Sequence, residues 1–257
     1  MSFRPVLSSV QNPQVKQLCR LRTGSQRRKH GLFIIDGAME ILKAVEAGIG
    51  IQQVFSTTAL NWLPKPMQDR LQLVSLEVMS KIAYGERSDQ VLALARTPEL
   101  SLENIPFSRN GFYLVLDQTE KPGNLGACLR TASACGVDAV ILTSPICEIF
   151  NPNAIRASRG AIFTLPLAVS HREELTLLLE QQQIPCWLAR VDGSKSLWQC
   201  KLDTGCAIVF GNEAHGLGPE WQGADSFRIP MATTTDSLNL SISVAVTLYE
   251  TLRQRIG

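Results

Sequence analysis

Residues 112–144 read FYLVLDQTEKPGNLGACLRTASACGVDAVILTS, and this stretch decides the fold. FYLVLDQ is an apolar run of strand length without alternation, as a strand buried on both faces requires. NLGACLRTASACG follows with apolar residues at helical spacing and a glycine stop. AVILTS is a second apolar run. Strand, helix and strand in that order make a βαβ unit, and with it a parallel sheet covered by helices.

The alternation continues outward. REELTLLLEQQ reads as a helix, IPCWLARV and CAIVFGNE as strands, and a last helix begins near Leu238. Toward the N-terminus, GLFIIDG reads as a strand, AMEILKAVEAG as a helix and IQQVFST as a strand, while LQLVSLEVMSKIA mixes the two. RTPELSLENIPFSRNG carries two prolines and no clear period, which puts a boundary within residues 98–110. The expectation is two α/β domains, residues 1–104 and 105–257.

With 257 residues, 45% of them hydrophobic, the chain can fill a core. It has no apolar stretch of the ~18 residues a spanning helix needs and no apolar signal core, so a cytoplasmic protein without membrane contact is expected. Seven scattered cysteines without a CxxC pair make a disulfide scaffold or a metal site unlooked-for. The net charge is only +2, but residues 1–30 carry Arg4, Lys16, Arg20, Arg22, Arg27, Arg28 and Lys29 with no acid before Asp36. That run is either a solvated helix face or an arm that faces nucleic acid.

Ligands of open parallel sheets bind beyond the carboxyl ends of the strands. Three polar loops lie there: Asp117–Gly126, Gly211–Gly218 and Ala232–Asn239. In the first, Asn124 suits a helix cap, and Arg130 follows inside an otherwise apolar helix, either snorkelling or reaching a partner. The second lacks the GK[ST] of a phosphate loop and the GxGxxG of a dinucleotide fold, and Glu213 would repel phosphate. His215 reads as a hydrogen-bonding residue or an acid–base group. The third sets Thr233, Thr234, Thr235, Asp236 and Ser237 before the last helix. Ser237 or Asp236 alone would suffice as a cap, and Asn239 is a poor helix former just inside the apolar run.

PGNLGACLRTASACG, IVFGNEAHGLG and IPMATTTDSLNLSISVAVTLYE resemble, in that order, the three signature motifs of the SpoU (TrmH-type) RNA ribose 2′-O-methyltransferases of the SPOUT superfamily. SSVQNPQVKQLCRLRTGSQRRKHGLFIIDG is similar to the lead-in of the ribosomal-RNA branch, and NPNAIRASRGAIFTLPL to the segment between the first two motifs. Two departures stand out: Lys121 replaces the acid common before the first motif's proline, and Asp36 the usual glutamate.

The resemblance implies an N-terminal RNA-binding domain and a C-terminal domain threaded into a deep trefoil knot. It implies S-adenosylmethionine as cofactor and a homodimer with the active site near the subunit interface. By motif position, Gly211, Ile229, Met231, Leu238 and Asn239 would contact the cofactor. Asn124, Arg130, Glu213, Ser237 and Asn239 would form the catalytic set. Arg156 and Ser158, with the basic Arg27, Arg28 and Lys29, would face RNA, and Arg159 would add a backbone contact. Methyl transfer to a 2′-hydroxyl needs in-line positioning and loss of the hydroxyl proton. Arg130 would serve as base or as organiser of the target phosphate. Ribosomal RNA is the expected substrate. A tRNA enzyme, an inactive assembly factor on the same fold and a nucleotide-dependent oxidoreductase are the rivals, the last disfavoured by the missing GxGxxG.

Overall fold

The structure, a computed structural model, describes residues 5–84, 90–222, 224–232 and 237–257. Arg4 and the hydroxyl-rich residues 233–236 lie outside the described residues. The chain divides into two units, one of the described residues up to Glu99 with Phe150–Thr164, the other of Leu100–Ile149 with Leu165–Gly257.

The first unit contains α1 (Pro13–Arg20), α2 (Gly24–His30), β1 (Leu32–Asp36), α3 (Ala38–Glu46), β2 (Ile51–Ser56), α4 (Lys65–Gln68), β3 (Leu71–Leu73), α5 (Leu76–Ile82) and β4 (Val91–Arg96). Its sheet runs β1-β4-β2-β3, antiparallel except between β2 and β3. The strand β4, VLALAR, was not among the elements read from the sequence. Its all-apolar run lacks alternation because five of its six residues are buried at the centre of the sheet. Val15 and Leu18 of α1 and Val78, Met79 and Ile82 of α5 close the core on one side. Each such side chain stabilises the fold by about 1.5–3 kcal/mol.

The second unit contains β5 (Phe112–Asp117), α6 (Pro122–Ala134), β6 (Ala139–Thr143), then, past α7 (Pro152–Ser158) and α8 (Ala161–Thr164) of the first unit, β7 (Leu167–Ser170), α9 (Arg172–Gln181), β8 (Cys186–Ala189), β9 (Lys195–Ser196), β10 (Cys206–Phe210), β11 (Asp225–Arg228) and α10 (Leu240–Ile256). The parallel sheet expected from the alternation is present, with seven strands in the order β7-β6-β5-β10-β8-β11-β9. The chain runs from β5 outward through β6 to β7, crosses to β8, and later inserts β10 between β5 and β8. The strand order therefore reverses between β5 and β10, the place where open sheets bind ligands.

In α6 the residues Leu125, Cys128, Leu129 and Ala132 are buried, the i, i+3, i+4, i+7 stripe of a helix lying on a core. Gly136, at φ 69°, ends it, a conformation glycine adopts freely. Arg130 lies off the buried stripe and is exposed, so the helix carries it without burying a charge.

Candidate active site

The loops after β5 and β10 are tied to each other by two amides. Asn212 donates its Nδ2 to the Gln118 carbonyl at 3.0 Å. Asn124 donates its Nδ2 to Glu213 Oε1 at 3.0 Å. Asn124 then accepts at Oδ1 from Asn239 Nδ2 at 3.2 Å. Glu213, Asn124 and Asn239 thus form one chain of hydrogen bonds linking all three polar loops.

This arrangement corrects two expectations about caps. Asn124 does not cap α6: the helix starts at Pro122 with Lys121 at its cap position, and Asn124 is already inside the first turn. Its side chain is free to bridge loops for that reason. The cap of α10 is Asn239, whose Oδ1 accepts from Ser241 N at 2.9 Å, so the helix begins at Leu240 and not near Leu238. The apparent anomaly of an asparagine inside the run disappears, since asparagine is among the best cap residues.

Burial alone would raise the Glu213 carboxyl. The Asn124 amide and the backbone N–H groups of Glu213, Glu120 and Lys121 outweigh it and hold the group below the usual carboxylate range. Burial, and then the charge of Glu213, push the Cys128 thiol up and the Cys147 thiol up to about 11. Neither offers a thiolate nucleophile near neutral pH.

Beside this network is a cavity of about 410 Å³, within the range of small-molecule sites. One wall is the loop Gly211–Leu217, another is Ile229 and Met231 with Ser237 and Leu238, and a third is Ala189–Asp192 after β8. Gly211, Ile229, Met231 and Leu238, expected to hold the cofactor, all line it, as does Ser237; Asn239 is not among the lining residues. A Cβ at Gly211 would fall 2.2–2.4 Å from the backbone of Gly216 and Leu217. The loop folds back on itself there, with Asn212 and Gly216 paired by two backbone hydrogen bonds. Only glycine fits.

The donor set suits S-adenosylmethionine. Phe210, Leu217, Phe227 and Leu240 give apolar surface for a heterocycle, and Glu213 gives a negative charge for a cation. The third wall was missed in the sequence, although Asp192 and Gly193 follow the stretch IPCWLARV and the rule of the carboxyl ends would have found it.

Arg130 and Ser237 are exposed and make no hydrogen bond with the Asn124–Glu213–Asn239 chain; the side chain of Arg130 has no hydrogen bond or ion pair to any described residue. In the first unit, Arg28, Lys29, Arg156 and Arg159 are exposed. Arg156 donates to the Tyr84 carbonyl. Two expected RNA-facing residues are corrected. Arg27 is buried and donates to the carbonyls of Leu21 at 2.7 Å and Arg22 at 2.9 Å, so it braces the turn before α2. Ser158 is buried, donates to the Ile155 carbonyl and accepts from the N–H groups of Gly160 and Ile162, joining α7 to α8.

A model of the SpoU rRNA methylase family matches residues 111–249, more than half of the chain. The chain belongs to this family of methyltransferases. A model of the MRM3-like substrate binding domain matches residues 12–93. Among relatives of this SpoU member, a Synechocystis protein described as an uncharacterized tRNA/rRNA methyltransferase is 31% identical over 97% of this chain and 94% of its own. A 23S rRNA (adenosine(1067)-2′-O)-methyltransferase of Streptomyces azureus is 27% identical over 100% and 99%. The crystal structure of an RNA 2′-O ribose methyltransferase is 34% identical with a TM-score of 0.83, covering 98% of this chain and 100% of that one. An AdoMet-bound rRNA methyltransferase from Sinorhizobium meliloti is 25% identical with a TM-score of 0.89, covering 98% and 99%.

Proposed function

We propose that this chain transfers the methyl group of S-adenosylmethionine to a ribose 2′-hydroxyl of large-subunit ribosomal RNA. The observation that most supports the reading is the Glu213–Asn124–Asn239 chain of bonds at the switch point, directly beside the glycine-walled cavity. Of the two nucleic acids, only RNA carries the hydroxyl this chemistry needs.

The bound cofactor supplies a methyl carbon already activated by its sulfonium. Gly211, Ile229, Met231 and Leu238 hold it, largely through peptide groups and apolar contact. Glu213 is a positioning residue: it fixes the Asn124 amide, which fixes Asn239, so both amides keep one orientation toward the target ribose. Ser237, at the cavity edge, adds a hydroxyl to that set. Arg130 presents an exposed guanidinium with no partner among the described residues, a cation with directed donors. It organises the phosphate beside the target and stabilises charge developing on the ribose oxygen. Transfer would replace the carbon–sulfur bond of the cofactor by the new oxygen–carbon bond, leaving S-adenosylhomocysteine, and the hydroxyl proton would pass to solvent.

Residues 1–104 form the RNA-binding domain and residues 105–257 the catalytic domain, whose chain is knotted, except that Phe150–Thr164 group with the first unit. The enzyme acts as a homodimer. Ile242, Tyr249 and Ile256, seven residues apart on α10 and all exposed, form an apolar stripe that supports this. Seven free cysteines suit a reducing cytoplasm.

The test is transfer of labelled methyl from S-adenosylmethionine to unmodified ribosomal RNA and to tRNA in parallel. Label in ribosomal RNA is expected. Label in tRNA alone would overturn the substrate, and label in neither the activity.

A further inference from the structure

The cavity wall after β8 carries a pair of charges that the proposed mechanism leaves unused. Arg190 Nε donates to Asp192 Oδ1 at 3.0 Å. The two side chains differ in setting: that of Arg190 is 29% exposed, that of Asp192 71%. Arg190 is further held by its backbone, whose N–H donates to the Phe227 carbonyl. It is the only arginine among the described lining residues.

We propose that Asp192, positioned by Arg190, receives the ribose diol of the nucleoside ligand of this cavity. The proposal rests on the cofactor reading above and names the part of the ligand this wall recognises. A carboxylate only accepts hydrogen bonds and has about four lone-pair sites. One is used by Arg190, which leaves room for two O–H donors side by side, and a vicinal diol presents such a pair. The placement has a chemical parallel: in dinucleotide-binding sheets an acidic residue takes the ribose hydroxyls. The rest of the cavity, apolar rings and peptide groups, suits a base and offers the hydroxyls no other carboxylate except Glu213, whose oxygens are committed to Asn124 and the Glu120 N–H. The hydrogen bond and charge of Arg190 hold Asp192 below its ordinary range, so it stays an acceptor.

The experiment is calorimetric binding of S-adenosylhomocysteine and of its 2′-deoxy and 3′-deoxy analogues, none of which requires turnover. Wild type, Asp192→Ala, Asp192→Asn and Arg190→Ala are compared, with thermal melts to verify folding. Wild-type protein should lose about tenfold in affinity when either hydroxyl is removed. Asp192→Ala should bind the parent ligand about tenfold more weakly and no longer distinguish it from the deoxy analogues. Arg190→Ala should reduce that discrimination without abolishing it. Full discrimination by Asp192→Ala would overturn the proposal while leaving the cofactor reading intact. So would a loss in both variants that vanishes for 5′-methylthioadenosine, which lacks the amino-acid end. Failure of the wild type to bind S-adenosylhomocysteine at all would overturn the cofactor reading and this proposal with it.

Discussion

At the scale of single residues, Asn124 shows how one amide sets the geometry of three loops. Its two polar atoms are both committed, the Nδ2 to Glu213 and the Oδ1 to Asn239. Asn124→Ala leaves Glu213 with backbone donors only, and its carboxyl should titrate closer to its ordinary value. The native Glu213 is held below that value, so it contributes stability that is present above the unfolded range and lost as pH falls through its folded value. Asn124→Ala should therefore be less stable than wild type at neutral pH, with the gap narrowing in melts taken down to about pH 3. A gap constant with pH would contradict this account of Glu213. The family resemblance implied Asn124, Glu213 and Asn239 as members of one site but not their pairing, since partners 89 and 115 residues apart leave no local signal. Arg27 and Ser158 fail as surface residues for a related reason. Charge and hydroxyl count say nothing about whether a neighbouring turn needs the donor, and here both are used up by carbonyls and amides of their own turns.

At the scale of elements, α10 and the loop after β10 carry the site. Asn239 has two jobs that substitution can separate. Asp at that position still caps a helix but has no Nδ2 to give Asn124. Asn239→Asp should melt close to wild type and lose at least about tenfold in methyl transfer, whereas Asn239→Ala should also lose about 1 kcal/mol of stability. Equal activity in Asn239→Asp would remove the Asn124 bond from the mechanism. In the neighbouring loop, Gly211→Ala forces a Cβ into the backbone of Gly216 and Leu217. Overpacking of this kind costs about 1–3 kcal/mol, and the loop that must shift is a cavity wall. Titration with S-adenosylhomocysteine should then show binding lost while the protein stays folded. The helices and most strands of the second unit were legible from apolar periodicity. The short β7, β9 and β11 were not, because strands of two to four residues give too few positions for a period to show.

At the scale of the whole molecule, alternating elements announced a parallel sheet but not its order, and so not the switch point between β5 and β10 on which the site depends. Strand order is a matter of which connections cross, and nothing in a strand's own composition records its neighbour. The division of labour between the units makes a separable prediction. Arg28 and Lys29 are exposed on α2, and replacing both by alanine should weaken RNA binding and flatten its log–log salt dependence by roughly one unit per lost phosphate contact. Arg27→Ala should instead lower the melting temperature, since it strips a donor from two carbonyls. An unchanged salt slope in the double variant would remove α2 from the RNA-binding surface. The central claim is that the second unit methylates a ribose oxygen with Arg130 as its fixed cation, and it is tested most directly by where the methyl lands. Unmodified ribosomal RNA would be treated with S-adenosylmethionine and either wild type or Arg130→Ala, digested to nucleosides and analysed by mass spectrometry. The account predicts a single 2′-O-methylnucleoside with wild type and none with Arg130→Ala. A methyl found on a base, or an Arg130→Ala enzyme as active as wild type, would contradict it.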